Sequence, residues 1–266
     1  MMIYKTLFGQ SVSRRFLIRN CALLLASGLG LGATLRAHAQ VGEPVVVVEL
    51  FTSQGCSSCP PADKLLGELS ENPDMIVLTE AVDYWDYLGW KDKNANHEHT
   101  VRQKNYARMR GDRSIYTPQM VINGRVHVVG SRAGEVTQAL QQVSSGTGRL
   151  SVPIKTRTDK ETLSIEIAAG PEGLSDVKDG TLFLVPFRRE VSVDVERGEN
   201  KGRKIVYHNV VDQMRPIGMW HGKALNIELP MHEIRKGGHD GCAVLLQADV
   251  NGLPGPIYGA AMIELH

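Results

Sequence analysis

Apolar residues run from Val45 to Val48 and resume at Leu50 and Phe51, with Glu49 the one interruption. A near-continuous apolar run rich in valine predicts a strand, Val45–Phe51, buried on both faces. After a polar break, Leu65, Leu66 and Leu69 recur at helical spacing behind Pro60-Pro61. Proline suits a first helical turn, where a missing N–H removes no hydrogen bond, so a helix is predicted over Pro61–Ser70. Pro73-Asp74 precedes a second apolar run, Met75–Val82. Asn96–Arg110 has no apolar stripe and reads as a polar helix stopped by Gly111, with His97 and His99 on a solvated face. Gln119–Ile122 and Val126–Val129 flank Asn123-Gly124, a strong hairpin signal. Glu135–Val143 returns to helical spacing.

Ser144-Ser145-Gly146-Thr147-Gly148 has the composition of a linker. Beyond it, apolar positions alternate in short runs: Leu150–Thr156, Leu163–Ala168, Thr181–Phe187, Ile205–Val211, Ala224–Glu228, Cys242–Val250 and Ile257–Glu264. Short strands separated by Gly and Pro turns predict an all-β, sandwich-like domain. The expected organisation is therefore an α/β domain at 40–145 followed by a β domain at 148–266.

The N-terminal residues follow neither pattern. Ser13-Arg14-Arg15-Phe16-Leu17-Ile18-Arg19 precedes a weakly apolar, Gly-rich stretch, and Ala37-His38-Ala39 offers a small-x-small cleavage site. Residues 1–39 are expected to be a twin-arginine-type signal peptide, which implies a periplasmic or secreted protein. Charge agrees with this division. Five basic residues and no acid fall within 1–39, so the remaining chain carries 25 basic against 29 acidic residues, a net of −4. That balance gives no footprint for nucleic acid. No apolar stretch reaches the length of a membrane span, so none is expected after signal cleavage.

The candidate chemistry lies at the strand-to-helix turn. Cys56-Ser57-Ser58-Cys59 sits where unpaired N–H groups and the helix dipole favour an anionic sulfur. Cys56 is the expected nucleophile, being the first and more exposed cysteine, and Cys59 the resolving thiol. Asp83, Trp85 and Asp86 follow the C-terminal end of the second strand, the end where sites form in open α/β sheets. They are expected to border the cysteines and contact a substrate. Cys242 starts an apolar strand and reads as a buried, inert thiol. Cys21 falls inside the signal segment. His208, His221, His232 and His239 show no metal-ligand spacing.

Three stretches carry a family resemblance: Val48–Asp63, Val82–Asp92 and Tyr116–Gly124. Together they closely resemble the DUF1223 family, secreted bacterial proteins with a thioredoxin-like domain and no settled function. The resemblance runs from about Val45 to the C-terminus, and Gly198–Arg203 looks like a further family motif. A His commonly precedes Val-Asp-Tyr-Trp-Asp in that family, where this chain has Ala81. The resemblance implies a thioredoxin-like fold in which Pro118 is cis and faces the C-x-x-C. Thr117 then offers backbone groups to a bound peptide or mixed disulfide. Glu49 resembles the buried acid that assists proton transfer in thioredoxins, one residue further from the first cysteine.

The leading expectation is a thiol–disulfide oxidoreductase acting on protein thiols or disulfides or on a redox partner protein, with no cofactor beyond its own cysteine pair. Two thiolates on one turn also suit copper(I) as soft ligands, which keeps metal binding or delivery as a second reading. A third is a binding module in which Cys56–Cys59 is a fixed structural bridge. Ser57-Ser58 between the cysteines does not set a direction of exchange.

Overall fold

The computed structural model describes residues 46–146, 148–172 and 179–265; the expected signal peptide lies outside the described residues. The described residues belong to one compact unit, Val41–His266.

The first half follows the order β1 (Val46–Thr52), α1 (Pro60–Ser70), β2 (Met75–Ala81), α2 (His97–Arg110), β3 (Gln119–Ile122), β4 (Val126–Val129) and α3 (Ala133–Ser145). Strand β1 is central, parallel to β2 and antiparallel to β3. Its alternation sorts two cores. Val46, Val48 and Leu50 meet Ala62, Leu65, Leu66 and Leu69 of α1 and Val136, Leu140 and Val143 of α3. Phe51, on the other face, packs with Val82, Tyr106 and Val121. Each buried Leu or Val contributes roughly 1.5–3 kcal/mol relative to exposure, so the strand register is strongly specified.

Helix α2 does not have the fully solvated face its sequence predicts. His99, Thr100, Gln103, Tyr106 and Ala107 are buried. They dock through hydrogen bonds, which hydrophobic periodicity cannot register. Gln103 Nε2 donates to Tyr116 O at 2.7 Å and to Gln119 Oε1 at 3.0 Å. Asn96 caps the helix by accepting from Glu98 N, and Gly111 ends it with φ 76°.

The second half contributes β5 (Ile154–Thr158), β6 (Thr162–Ile167), β7 (Gly180–Asp194), β8 (Lys204–Val211), β9 (Arg215–Trp220), β10 (Leu225–Pro230), a short helix α4 (Met231–Arg235), β11 (Gly241–Val250) and β12 (Leu253–Glu264). Strands β10, β6 and β5 form a small sheet. It packs through Leu163, Ile165 and Ile167 against Leu182, Leu184, Val244 and Leu246 of the large sheet. Strand β9 has no apolar alternation in the sequence, because Pro216 and Gly218 interrupt it, and β7 runs past Phe187 through a polar, half-exposed tail.

The large sheet does not stop at the expected linker. Its order is β12-β11-β7-β8-β2-β1-β3-β4, so β8 of the second half pairs with β2 of the first. Backbone pairing there is limited to Thr79 with Val210. Side chains extend it: Thr79 Oγ1 donates to His208 O at 2.6 Å and Asn209 Nδ2 to Val77 O at 3.0 Å. A shared core joins the halves again, with Val47, Ile76 and Leu78 against Val185, Phe187, Val211, Ala243, Leu245 and Ile257. The Asn123-Gly124 turn locks this junction. Asn123 Oδ1 accepts from Val47 N at 2.6 Å, while Asn123 O accepts from Ile257 N.

Candidate functional site

Strand β1 ends at Thr52, and the chain turns through Ser53–Ser58 into α1, whose N-cap is Cys59. Cys56 and Cys59 form a disulfide with Cα atoms 5.4 Å apart. The turn is held by Cys56 N donating to Ser53 O at 3.1 Å and Cys59 N donating to Cys56 O at 3.2 Å. Ser57 and Ser58 are exposed, but Cys56 is only 2% exposed and Cys59 is fully buried. Cys56 is thus far more covered than its place in the sequence predicts.

Two neighbours account for the cover. Gly55 lies under Trp85, where a Cβ on the glycine would stand 3.0 Å from the tryptophan Cβ. Trp85 Nε1 donates to Thr117 Oγ1 at 2.7 Å, and the following Thr117–Pro118 bond is cis. Trp85 thus packs on the cysteine turn and binds Thr117 through its indole N–H. The second cover comes from the tip of the β7–β8 hairpin. Asn200 Nδ2 donates to Gln54 O at 3.0 Å and to Cys56 O at 2.8 Å. Glycines at φ 78° (Gly198) and 82° (Gly202) shape the tip that delivers it, conformations that other residues rarely adopt.

Gln54 is gripped from a third direction. Its N and Nε2 donate to the two carboxylate oxygens of Asp92 at 2.8 and 2.7 Å, and its Oε1 accepts from Trp90 Nε1 at 2.7 Å. Asp92 is buried, and burial, with Asp86 adding like charge, raises its pKa against the bonds it accepts.

On α1, one turn after Cys59, lies Asp63, 2% exposed, its N–H donating to Cys59 O at 3.1 Å. Thr52 Oγ1 donates to its Oδ1 at 2.7 Å. Burial pushes its carboxyl up to about 8, with Asp92 adding repulsion and the Thr52 bond opposing both. Residues four apart on a helix share a face. The combination of Cys59, Asp63 and Leu66 on one buried face is the signal that would have found Asp63.

Glu49 is elsewhere, which corrects its expected place beside the cysteines. Even-numbered residues of β1 face α1, and Glu49, odd-numbered, points to the α2 side. There Arg102 Nε donates to its Oε1 and Tyr106 Oη to its Oε2, each at 2.6 Å. Arg102 also reaches Gln247 Oε1 of β11 at 2.9 Å, so this buried ion pair ties α2 to the second half. Burial, then Glu49, raises Glu80 beside it well above the carboxylate range.

Of the three expected border residues, the geometry brings only Trp85 onto the cysteine turn directly. Asp83 Oδ1 accepts from Thr100 Oγ1 at 2.5 Å, and Asp83 Oδ2 is 2.8 Å from His97 Nδ1. Burial alone would raise the Asp83 pKa; these bonds outweigh it and lower the pKa. Asp86 Oδ1 accepts from Asp92 N at 3.1 Å, so it supports the grip on Gln54. Cys242 is a free, fully buried thiol in the second-half core, its pKa pushed up by burial to about 12. Among the described residues, no three His, Cys, Asp or Glu side chains are grouped to hold a metal ion. Among the same residues, no helix is long and apolar enough to cross a membrane.

Comparison with known proteins supplies a family and a fold. The model of a family described as a protein of unknown function, DUF1223, matches residues 47–247. A crystal structure of a protein from Agrobacterium tumefaciens is 38% identical, covering 84% of this chain and 95% of its own, with a TM-score of 0.74. HBP35 of Porphyromonas gingivalis is similar in fold alone, at 10% identity and a TM-score of 0.57 over 84% of this chain and 76% of its own. None of the curated proteins matches.

Proposed function

Because the chain belongs to the DUF1223 family, whose description names no reaction, we propose its function from the centre itself: thiol–disulfide exchange on a thioredoxin-like scaffold. The observation that carries this reading is the Cys56–Cys59 disulfide at the N-terminus of α1 with a buried acid, Asp63, one turn behind it. Supporting the scaffold reading are the order β1-α1-β2-α2-β3-β4-α3 and the cis Thr117–Pro118 bond leading into β3.

The chemistry balances within the site. A thiolate of a partner dithiol attacks Cys56 Sγ, forming a mixed disulfide as the Cys56–Cys59 bond breaks. Cys59 leaves as a thiolate and takes the proton of Asp63. The second partner thiol then attacks the partner's sulfur in the mixed disulfide and releases Cys56. Two electrons have passed from partner to protein. In reverse, the Cys56 thiolate attacks a partner disulfide. Cys59 then gives its proton to the Asp63 carboxylate as it attacks Cys56 Sγ. In this reading Trp85, which packs on Gly55 and binds Thr117, takes up the partner beside Cys56; Asn200 holds the carbonyl of the reacting residue.

A disulfide of this kind persists in oxidising compartments, which accords with export by the twin-arginine-type segment at 1–39 and a periplasmic or secreted location. The partner is a protein dithiol or disulfide. Equilibration of the pair with glutathione buffers tests the reading. A potential between about −270 and −120 mV supports exchange, whereas one well below about −300 mV overturns it in favour of a fixed structural bridge.

A further inference from the structure

Among the described residues, three buried side-chain atoms in the neighbourhood of the cysteine turn have no hydrogen-bond partner: Asp63 Oδ2, Tyr207 Oη and Asn200 Oδ1. They come from α1, β8 and the β7–β8 hairpin tip. A lone buried polar atom without a partner is costly; three of complementary kind around one centre form a pattern.

They share one neighbourhood. Asp92 acts electrostatically on both Asp63 and Tyr207. Asp92 grips Gln54 N, and Asn200 grips Gln54 O. The Tyr207 ring packs in the same apolar cluster as Trp90, whose indole N–H donates to Gln54. One turn beyond Asp63, Gly67 of α1 lies against the His208 ring of β8, which sets β8 beside this face of the helix. The titratable groups of this neighbourhood are Asp63, Tyr207 of β8, Asp92 with Asp86 behind it, and the cysteines, while His208 of β8 lies one helical turn further along α1, against Gly67. No lysine or arginine is among them.

We propose that Tyr207, supplied by the second half of the chain, is a positioning residue for proton transfer at the Cys56–Cys59 centre, acting through Asp63. This rests on the exchange reading above. When Asp63 passes its proton to the departing Cys59 thiolate, negative charge appears on a buried carboxylate on which no cation among the described residues acts. Thr52 already donates to Oδ1, and the Tyr207 hydroxyl is the donor proposed for the unpartnered Oδ2. A water held between Tyr207 Oη, Asp63 Oδ2 and Asn200 Oδ1 meets the two-to-four polar partners that buried waters have, and carries the hydrogen bond across. Tyr207 keeps its own proton throughout, because burial, then the two aspartates, raises its pKa far above the phenol range. Through Tyr207 the second half of the chain takes part in the exchange.

The test is the pH dependence of disulfide opening by dithiothreitol, followed by tryptophan fluorescence from pH 6 to 10. Variant-to-wild-type rate ratios cancel the ionisation of the reagent. The wild type is expected to break near pH 8, where Asp63 loses its proton. Tyr207→Phe keeps the ring packing and is expected to move that break up by about one pH unit, because the carboxylate loses its donor. Asp63→Asn is expected to abolish it. A break that persists in Asp63→Asn, or one that Tyr207→Phe leaves in place while the wild type exchanges normally, overturns the proposal alone. A wild-type disulfide that dithiothreitol does not open at any pH sinks the exchange reading and the proposal with it.

Discussion

Asp63 makes a stability prediction that is independent of any redox activity. The residue is 2% exposed, and its carboxyl titrates at about 8 in the folded protein, against about 3.9 in an unfolded chain. The folded state therefore favours the neutral acid. Below pH 4 both states hold the proton and nothing is lost. Between pH 4 and 8 the unfolded chain ionises while the folded protein does not, so stability falls by up to about 1.36 kcal/mol per pH unit. Above pH 8 both are ionised and the loss levels off. Four units give roughly 5 kcal/mol, a large share of the 5–15 kcal/mol that holds an ordinary domain. Asp63→Asn keeps the shape and the bond from Thr52 but removes the titration. Urea unfolding of both proteins at pH 4, 6 and 9, disulfides intact, gives the gap between them. The variant is expected to match or slightly trail the wild type at pH 4 and to exceed it by roughly 4–5 kcal/mol at pH 9. Taking the difference cancels groups remote from Asp63, such as His99, which burial shifts downward. A gap that stays constant across this range would refute the assignment of Asp63 as a buried neutral acid.

Arg102→Met leaves Glu49 and Glu80 buried without their cation and is expected to lower stability by roughly 3–5 kcal/mol in urea titrations at pH 7. Asn200→Ala removes the donor that holds Gln54 O and one of the two that hold Cys56 O. Losing a hydrogen bond of about 1–1.5 kcal/mol there is expected to speed reduction of the disulfide by small thiols about tenfold, read by thiol labelling after a timed exposure. Gly124→Ala places a Cβ 2.5 Å from Gly255 O at a residue with φ 64°. Thermal melts are expected to report a loss of roughly 2 kcal/mol, since both the contact and the left-handed backbone oppose the methyl group.

The first half was legible because its elements are hydrophobic in the ordinary way: β1 and β2 are apolar runs, and α1 and α3 have leucine and valine stripes. The cysteine pair and its turn were readable from local sequence for the same reason. Helix α2 departs from its hydrophobic pattern because polar side chains do the docking: His99, on the face expected to be solvated, is 2% exposed with Nδ1 3.0 Å from Ala81 O. Glu49 and Asp63 show a different limit. Both are acids near the cysteines in sequence, and strand parity against helical phase decides which one faces them. Asn200 lies 144 residues from the carbonyl it holds, and Tyr207 is as remote from Asp63. No local pattern brings such groups together; only the closing of the large sheet does.

That closure also sets an order of events during synthesis. Strand β2 finds its partner β8 only after a further stretch of chain, the Thr79–His208 hydrogen bond alone spanning 129 residues. At about 5–20 residues per second, the ribosome takes on the order of ten seconds to make that stretch. Through that interval the edge of β2 lacks the cover of β8 beside a nearly complete first half and is open to any extended segment nearby. The nascent protein is therefore most exposed to misassembly in the middle of its own translation. A chain truncated ahead of Lys204 keeps that open edge for good, and it is expected to aggregate even though every element around the cysteines has been made.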